Sequence, residues 1–127
     1  MSTTVHAVKD AENQRPVPSE WRESFSDIIR ALVNGDYALE SCASGVAPLS
    51  PEIATQIEEY IRDYGETLIE LPPESWDSSV CIWMNSWWEV LVDLWTESEG
   101  RSDLVLSARV TEAGSGYVFE AKGVYVP

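Results

Sequence analysis

Residues 87 to 96 constrain the fold most, because only an extended strand sorts their side chains into two coherent faces. Trp88, Val90, Val92 and Leu94 make one uninterrupted apolar row. Trp87, Glu89, Leu91, Asp93 and Trp95 make the other, with aromatic and acidic groups interleaved. The apolar row must be covered by another layer, and the chain upstream has the pattern to cover it.

From Ser19 the apolar residues Trp21, Phe25, Ile28, Ile29, Leu32 and Val33 recur at the spacing of an amphipathic helix, with Ser19 placed to cap it and Gly35 to end it. Six such side chains, at about 1.5–3 kcal/mol each when buried, make this helix a core element. A second helix opens at Ser50-Pro51-Glu52, a capping serine, a proline at the first helical position and an acid in the first turn. Its stripe is Ile53, Ile57, Tyr60, Ile61 and Tyr64, and Gly65 stops it. The 36–49 connection between the helices carries Gly45 and Pro48, and its path is left open.

After Gly65 the period changes to two. Thr67 to Leu71 reads as a short strand ended by Pro72-Pro73, and Ser79 to Met84 as a short apolar run, strand or helix, with 72–84 otherwise unassigned. Trp87 to Thr96, Leu104 to Glu112 and Tyr117 to Val126 read as strands separated by turns at 97–103 and 113–116. The expected fold class is α+β: two N-terminal amphipathic helices packed on one face of a C-terminal antiparallel meander of three to five strands. Residues 1–17, aperiodic and rich in polar groups, are expected to be a flexible tail ahead of a single domain over 18–127.

Charge limits the partners. Twenty-two Asp and Glu against eight Lys and Arg give a net charge of −14, which disfavours nucleic acid and anionic membrane as ligands. Between residues 52 and 99 twelve acids face Arg62 alone. Asp63 and Glu66 crowd the C-terminal end of the second helix, where the macrodipole opposes negative charge. Such a distribution serves either solubility or the electrostatic docking of a basic partner. The opening residues lack the pattern of a secretory signal and no apolar run approaches a membrane span, so the cytoplasm is the expected location.

Catalytic chemistry finds few residues. The single histidine, His6, lies in the tail, and Cys42 and Cys81 are too few for a metal site, so neither a metal nor any cofactor is expected. Gly114-Ser115-Gly116 sits between strands and reads as a hairpin turn. Glu89 and Asp93 share a strand face but lie roughly 13 Å apart at ~3.3 Å per residue, too far for a glycosidase pair. A second carboxylate from another strand, such as Glu120, would complete a dyad. Cross-strand pairing of Glu89 and Asp93 with Arg109 and Lys122 is the simpler expectation.

Through Trp88 to Thr96, followed by Glu99-Gly100-Arg101-Ser102-Asp103-Leu104 and preceded by Tyr64-Gly65-Glu66-Thr67-Leu68, the chain resembles a small bacterial domain family of unknown function. The resemblance spans about residues 19 to 127 and implies bacterial origin and one compact domain. From the residues themselves, the leading expectation is a non-enzymatic inhibitor or immunity-type protein that neutralises a basic protein such as a nuclease toxin. The partner-binding candidates are Glu52, Glu59, Asp63, Glu66, Trp87, Glu89, Asp93 and Trp95. The alternatives are a small-molecule or hydrolytic pocket between sheet and helices, or a regulatory subunit of a larger complex.

Overall fold

The computed structural model describes residues 4–43 and 45–127. Residues 1–3 of the expected tail and Ser44 of the 36–49 connection lie outside the described residues. In chain order the elements are β1 (Arg15–Pro16), α1 (Ser19–Val33), α2 (Pro51–Tyr64), β2 (Leu68–Ile69), a 3-10 turn (Pro73–Asp77), β3 (Val80–Trp83), β4 (Trp88–Thr96), β5 (Gly100–Ala113) and β6 (Gly116–Tyr125). The class is α+β, with the helices N-terminal and the main sheet C-terminal. Among the described residues the sheet has six strands, one more than the upper expectation, because residues 15–16 of the expected tail add a two-residue strand, while the expected 67–71 strand shortens to residues 68–69. Its order is β1-β3-β4-β5-β6, all antiparallel, with β2 pairing β4 as well.

Register explains the core. Trp88 stands opposite Val110, which stands opposite Phe119; Val90, Ala108 and Ala121 form the next row, and Val92, Leu106 and Val124 the third. Every one of these nine side chains is buried. They share one cluster with Trp21, Phe25, Ile28 and Ile29 of α1 and with Ile57 and Ile61 of α2. Trp21 meets Trp88 edge-on at 5.1 Å between ring centroids, and Phe25 meets Phe119 at 5.4 Å, the T-shaped geometry that aromatic quadrupoles favour. Val33, assigned to the stripe, is instead exposed as the last residue of the helix, and Ala31 is buried.

Helix ends follow their signals with one correction. At α1 the Asp36 N–H bonds the Ala31 carbonyl and the Gly35 N–H bonds that of Leu32, with Gly35 left-handed at φ 83°, a Schellman ending. At α2 the Ser50 hydroxyl accepts from the Ile53 N–H at 3.3 Å and Gly65 is left-handed. Ser19, however, is the first residue of α1 rather than its cap. Its hydroxyl accepts from the Val5 N–H at 2.8 Å and its own N–H donates to the Val5 carbonyl at 2.9 Å.

That pair of bonds corrects the expected tail. Beyond residue 4 the segment is laid against the sheet: Arg15 and Pro16 pair with Cys81 and Val80, Val17 is fully buried, and the Trp88 indole N–H donates to the Val8 carbonyl at 3.0 Å. Lys9 lies over the Trp83 ring, 5.1 Å from its centroid, and pairs with Glu112 at 2.8 Å. Local periodicity is absent because the segment packs through backbone bonds to residues 14 to 80 positions away.

Unpaired strand edges are patched by loops. Phe119 on β6 gives its N–H to the Gly45 carbonyl and accepts from the Ala47 N–H, so part of the 36–49 connection acts as an extra strand. On β4 the ladder to β3 ends at Leu91 and the ladder to β2 begins at Trp95. In the gap, the Asp93 N–H donates to the Ser79 hydroxyl at 2.9 Å and its carbonyl accepts from the Ser75 hydroxyl at 2.8 Å; both serines are buried. Strand β5 starts at Gly100, four residues before the expected Leu104. Gly100 takes φ 72°, and Ser102 reaches back to the Leu94 carbonyl at 2.8 Å, which carries the ladder through a bulge between Asp93 and Trp95.

Two measurements check this arrangement. Truncation before Val17 is expected to lower the melting temperature by on the order of 10 °C, since it strands the buried Trp88 N–H and uncovers apolar area; an unchanged melting curve would show that the segment does not pack. Ser79→Ala is expected to cost about 1–3 kcal/mol in chemical denaturation, and Ser78→Ala close to nothing.

Candidate functional site

The end of the sheet where α2 stops gathers acids from three parts of the chain. Helical spacing puts Tyr60, Asp63 and Tyr64 on neighbouring positions of one face of α2, at i, i+3 and i+4. With Val126 they line a surface cleft of about 310 Å³. The Tyr60 hydroxyl accepts from the Val126 N–H at 3.2 Å. The Tyr64 hydroxyl donates to Glu99 at 3.0 Å and accepts from the Asp103 N–H at 3.2 Å. That N–H pulls the phenol pKa down, but burial together with the Glu99 and Asp103 carboxylates outweighs it and leaves the pKa raised. Glu99 also accepts from the Thr96 hydroxyl at 3.0 Å, and Glu66 accepts from the Ser98 hydroxyl. Asp63 leans towards Arg62 at 3.5 Å, with both side chains mostly exposed.

The second face of β4 carries the remaining candidates. Glu89 stands opposite Arg109, and Arg109 opposite Glu120. The expected pairing of Glu89 and Asp93 with Arg109 and Lys122 does not form: Arg109 stacks on the Trp87 ring at 4.0 Å, and Lys122 pairs with its own neighbour Glu120 at 3.1 Å. Stacking wins because a guanidinium over an indole keeps its edges in water, whereas an exposed ion pair gains little. Glu89 and Glu120 lie two strand spacings apart, roughly 10 Å between backbones, with Arg109 on the strand between them. Around these charges lie Val80, Ile82 and Leu91, half-buried where the opposite face is sealed.

The structure divides the eight sequence candidates into separate groups. Asp63 and Glu66 join Glu99 and Asp103 at the acidic end, and Trp95 reaches the same end, set between Ile69 and Arg101. The Trp95 indole N–H is buried there and has no partner among the described residues. Glu52 lies at the far end of α2, and Glu59 is exposed on that helix. Trp87 and Glu89 lie at the opposite end of β4, with Asp93 between. Tyr60, Tyr64, Asp103 and Val126 were missed as site residues. The two tyrosines fit the apolar stripe equally well, and only the pairing of β4 with β5 brings Asp103 near them.

Where a pocket between sheet and helices was expected, Trp21, Phe25, Trp88 and Leu106 are buried together in the core. A cleft of about 410 Å³ lies instead at the rim, lined by Asp27, Arg30, Ala31, Asn34, Ser41, Cys42 and Ala43. Its one cation, Arg30, already holds Asp27 at 2.6 Å and Glu70 at 2.9 Å. The Cys42 thiol is pushed up by burial and by Asp36 and Asp27, and burial pushes Cys81 up to about 11. Neither thiol is an activated nucleophile. Among the described residues no group of three or more His, Cys, Asp or Glu side chains is placed to hold a metal ion, and no helix is long and apolar enough to cross a membrane.

The raised Cys81 pKa has a sign that can be tested. A thiol that holds its proton more tightly when folded adds stability that is complete below the unfolded value of 9.0 and is lost as pH rises through about 11. Iodoacetamide at pH 8 is expected to spare Cys81 in the native protein and label it after denaturation. Equal labelling rates in both states would contradict its burial.

No curated protein and no solved structure matches the chain. The profile of a domain of unknown function, DUF7668, matches residues 29–127, from the second half of α1 to the C-terminus. That span includes the whole sheet except β1, together with both clefts, save Asp27 at the rim of the larger one. The chain therefore belongs to the DUF7668 family of domains of unknown function.

Proposed function

We propose that this chain is a non-enzymatic inhibitor of the immunity type, which binds and neutralises a basic protein, such as a nuclease toxin, in the bacterial cytoplasm. The observation that carries the reading is the convergence of Asp63, Glu66, Glu97, Glu99 and Asp103 at one end of the sheet, with Arg62 and Arg101 as the neighbouring cations. Five carboxylates there repel one another, and two of them sit against the negative end of a helix dipole. A cationic surface relieves both penalties at once, and the long-range field of the acids accelerates its approach.

Apolar contacts supplement the charges. With α1 and α2 laid on one face of the sheet, the other face offers Leu91, Trp87 and Trp95 to a partner, and Trp95 adjoins the acidic end. An aromatic flanked by charges has the composition of an interface anchor. Covering the phosphate-binding surface of a nuclease with carboxylates blocks the enzyme without any chemistry of the inhibitor's own.

The test is co-expression with the basic product of the neighbouring open reading frame. Association is expected to weaken steeply as ionic strength rises from about 0.01 to about 1 M. Asp63→Lys with Glu66→Lys is expected to slow association about tenfold with the fold intact, and Trp95→Ala to speed dissociation. Binding indifferent to salt and to all three substitutions would overturn the reading.

A further inference from the structure

We infer that the cleft formed by Tyr60, Asp63, Tyr64 and Val126 is a pocket for one lysine or arginine side chain. The inference rests on the inhibitor reading for the source of that side chain, and it gives the basic partner a point of anchorage.

Three features combine. The walls are two aromatic rings and an aliphatic residue, which accept the methylene stem of a long cationic side chain. The rings are held by their hydroxyls, Tyr60 through the Val126 N–H and Tyr64 through both Glu99 and the Asp103 N–H, so the cleft is formed before any ligand arrives. The surrounding charge is negative: Asp63 on the wall, with Glu99 and Asp103 behind Tyr64. Aromatic rings beside carboxylates are the environment in which an ammonium or guanidinium is best held. Among the described residues Arg62 is the one competing cation on Asp63, and at 3.5 Å with two-thirds of its side chain exposed it is readily displaced. The larger rim cleft differs on this point, since its own Arg30 already occupies the Asp27 carboxylate that lines it.

The test is a titration of the whole isotope-labelled chain, followed by NMR, with acetyl-lysine methylamide and acetyl-arginine methylamide. Acetyl-norleucine methylamide serves as the uncharged counterpart. Saturable shifts confined to Tyr60, Asp63, Tyr64 and Val126 are expected for the two cations, with binding at least about tenfold weaker for norleucine. Asp63→Asn is expected to weaken cation binding about tenfold and Tyr60→Leu to abolish it. Tyr60→Phe, which keeps the ring, is expected to retain it, and so separates a lost wall from a damaged fold. Shifts spread over the acidic surface and unchanged in Asp63→Asn would overturn the pocket, as would a basic partner that binds Tyr60→Leu at full strength, an outcome that leaves the inhibitor reading intact. Saturable binding in the cleft by a chain that engages no basic protein would uphold the pocket and overturn the inhibitor reading.

Discussion

Burial of the Trp88, Val90, Val92 and Leu94 row is the constraint on which the rest of the molecule depends. A strand slipped by one residue would turn this row outward and bring Glu89 and Asp93 into the core, so a single register satisfies the sequence. Once β4 is fixed, the residues opposite it on β5 and β6 complete a three-strand apolar surface, and Trp21 and Phe25 of α1 join its core through Trp88 and Phe119. Everything polar is then displaced to the other face and to the ends of the sheet.

The sequence exposed those parts of the fold that repeat locally. Both helices, the Ser50-Pro51 start and the strands after Trp87 follow from spacing within ten or fifteen residues. The parts held by single long-range bonds were illegible. Nothing near Val8 announces that its carbonyl receives the Trp88 indole, and Ser19 carries the side chain of a cap while bonding Val5 instead. Ser75 and Ser79 look like ordinary loop residues until Asp93 is placed beside them.

The candidate site was legible in its charge and not in its shape. Asp63 and Glu66 stood out because a helix C-terminus should not carry them. The cleft beside them depends on Val126, more than sixty positions from Tyr60, and on Asp103, brought near by a hairpin. Arg109 shows the converse limit. Its position opposite Glu89 was readable, but the choice of the Trp87 ring over the carboxylate depends on side-chain geometry.

The gap in the β4 ladder gives the two serines a significance beyond their own bonds. Between the strands that flank it, one residue of β4 presents an N–H and a carbonyl outward, and two hydroxyls occupy the places where another backbone would bond. A backbone partner would propagate, because each added strand offers a fresh edge to the next; a hydroxyl terminates the series. The stretch from Pro72 to Ser79 therefore acts as a stopper that keeps a tryptophan-rich sheet from recruiting a second chain at this gap in β4, a protection against aggregation that costs the fold one short loop.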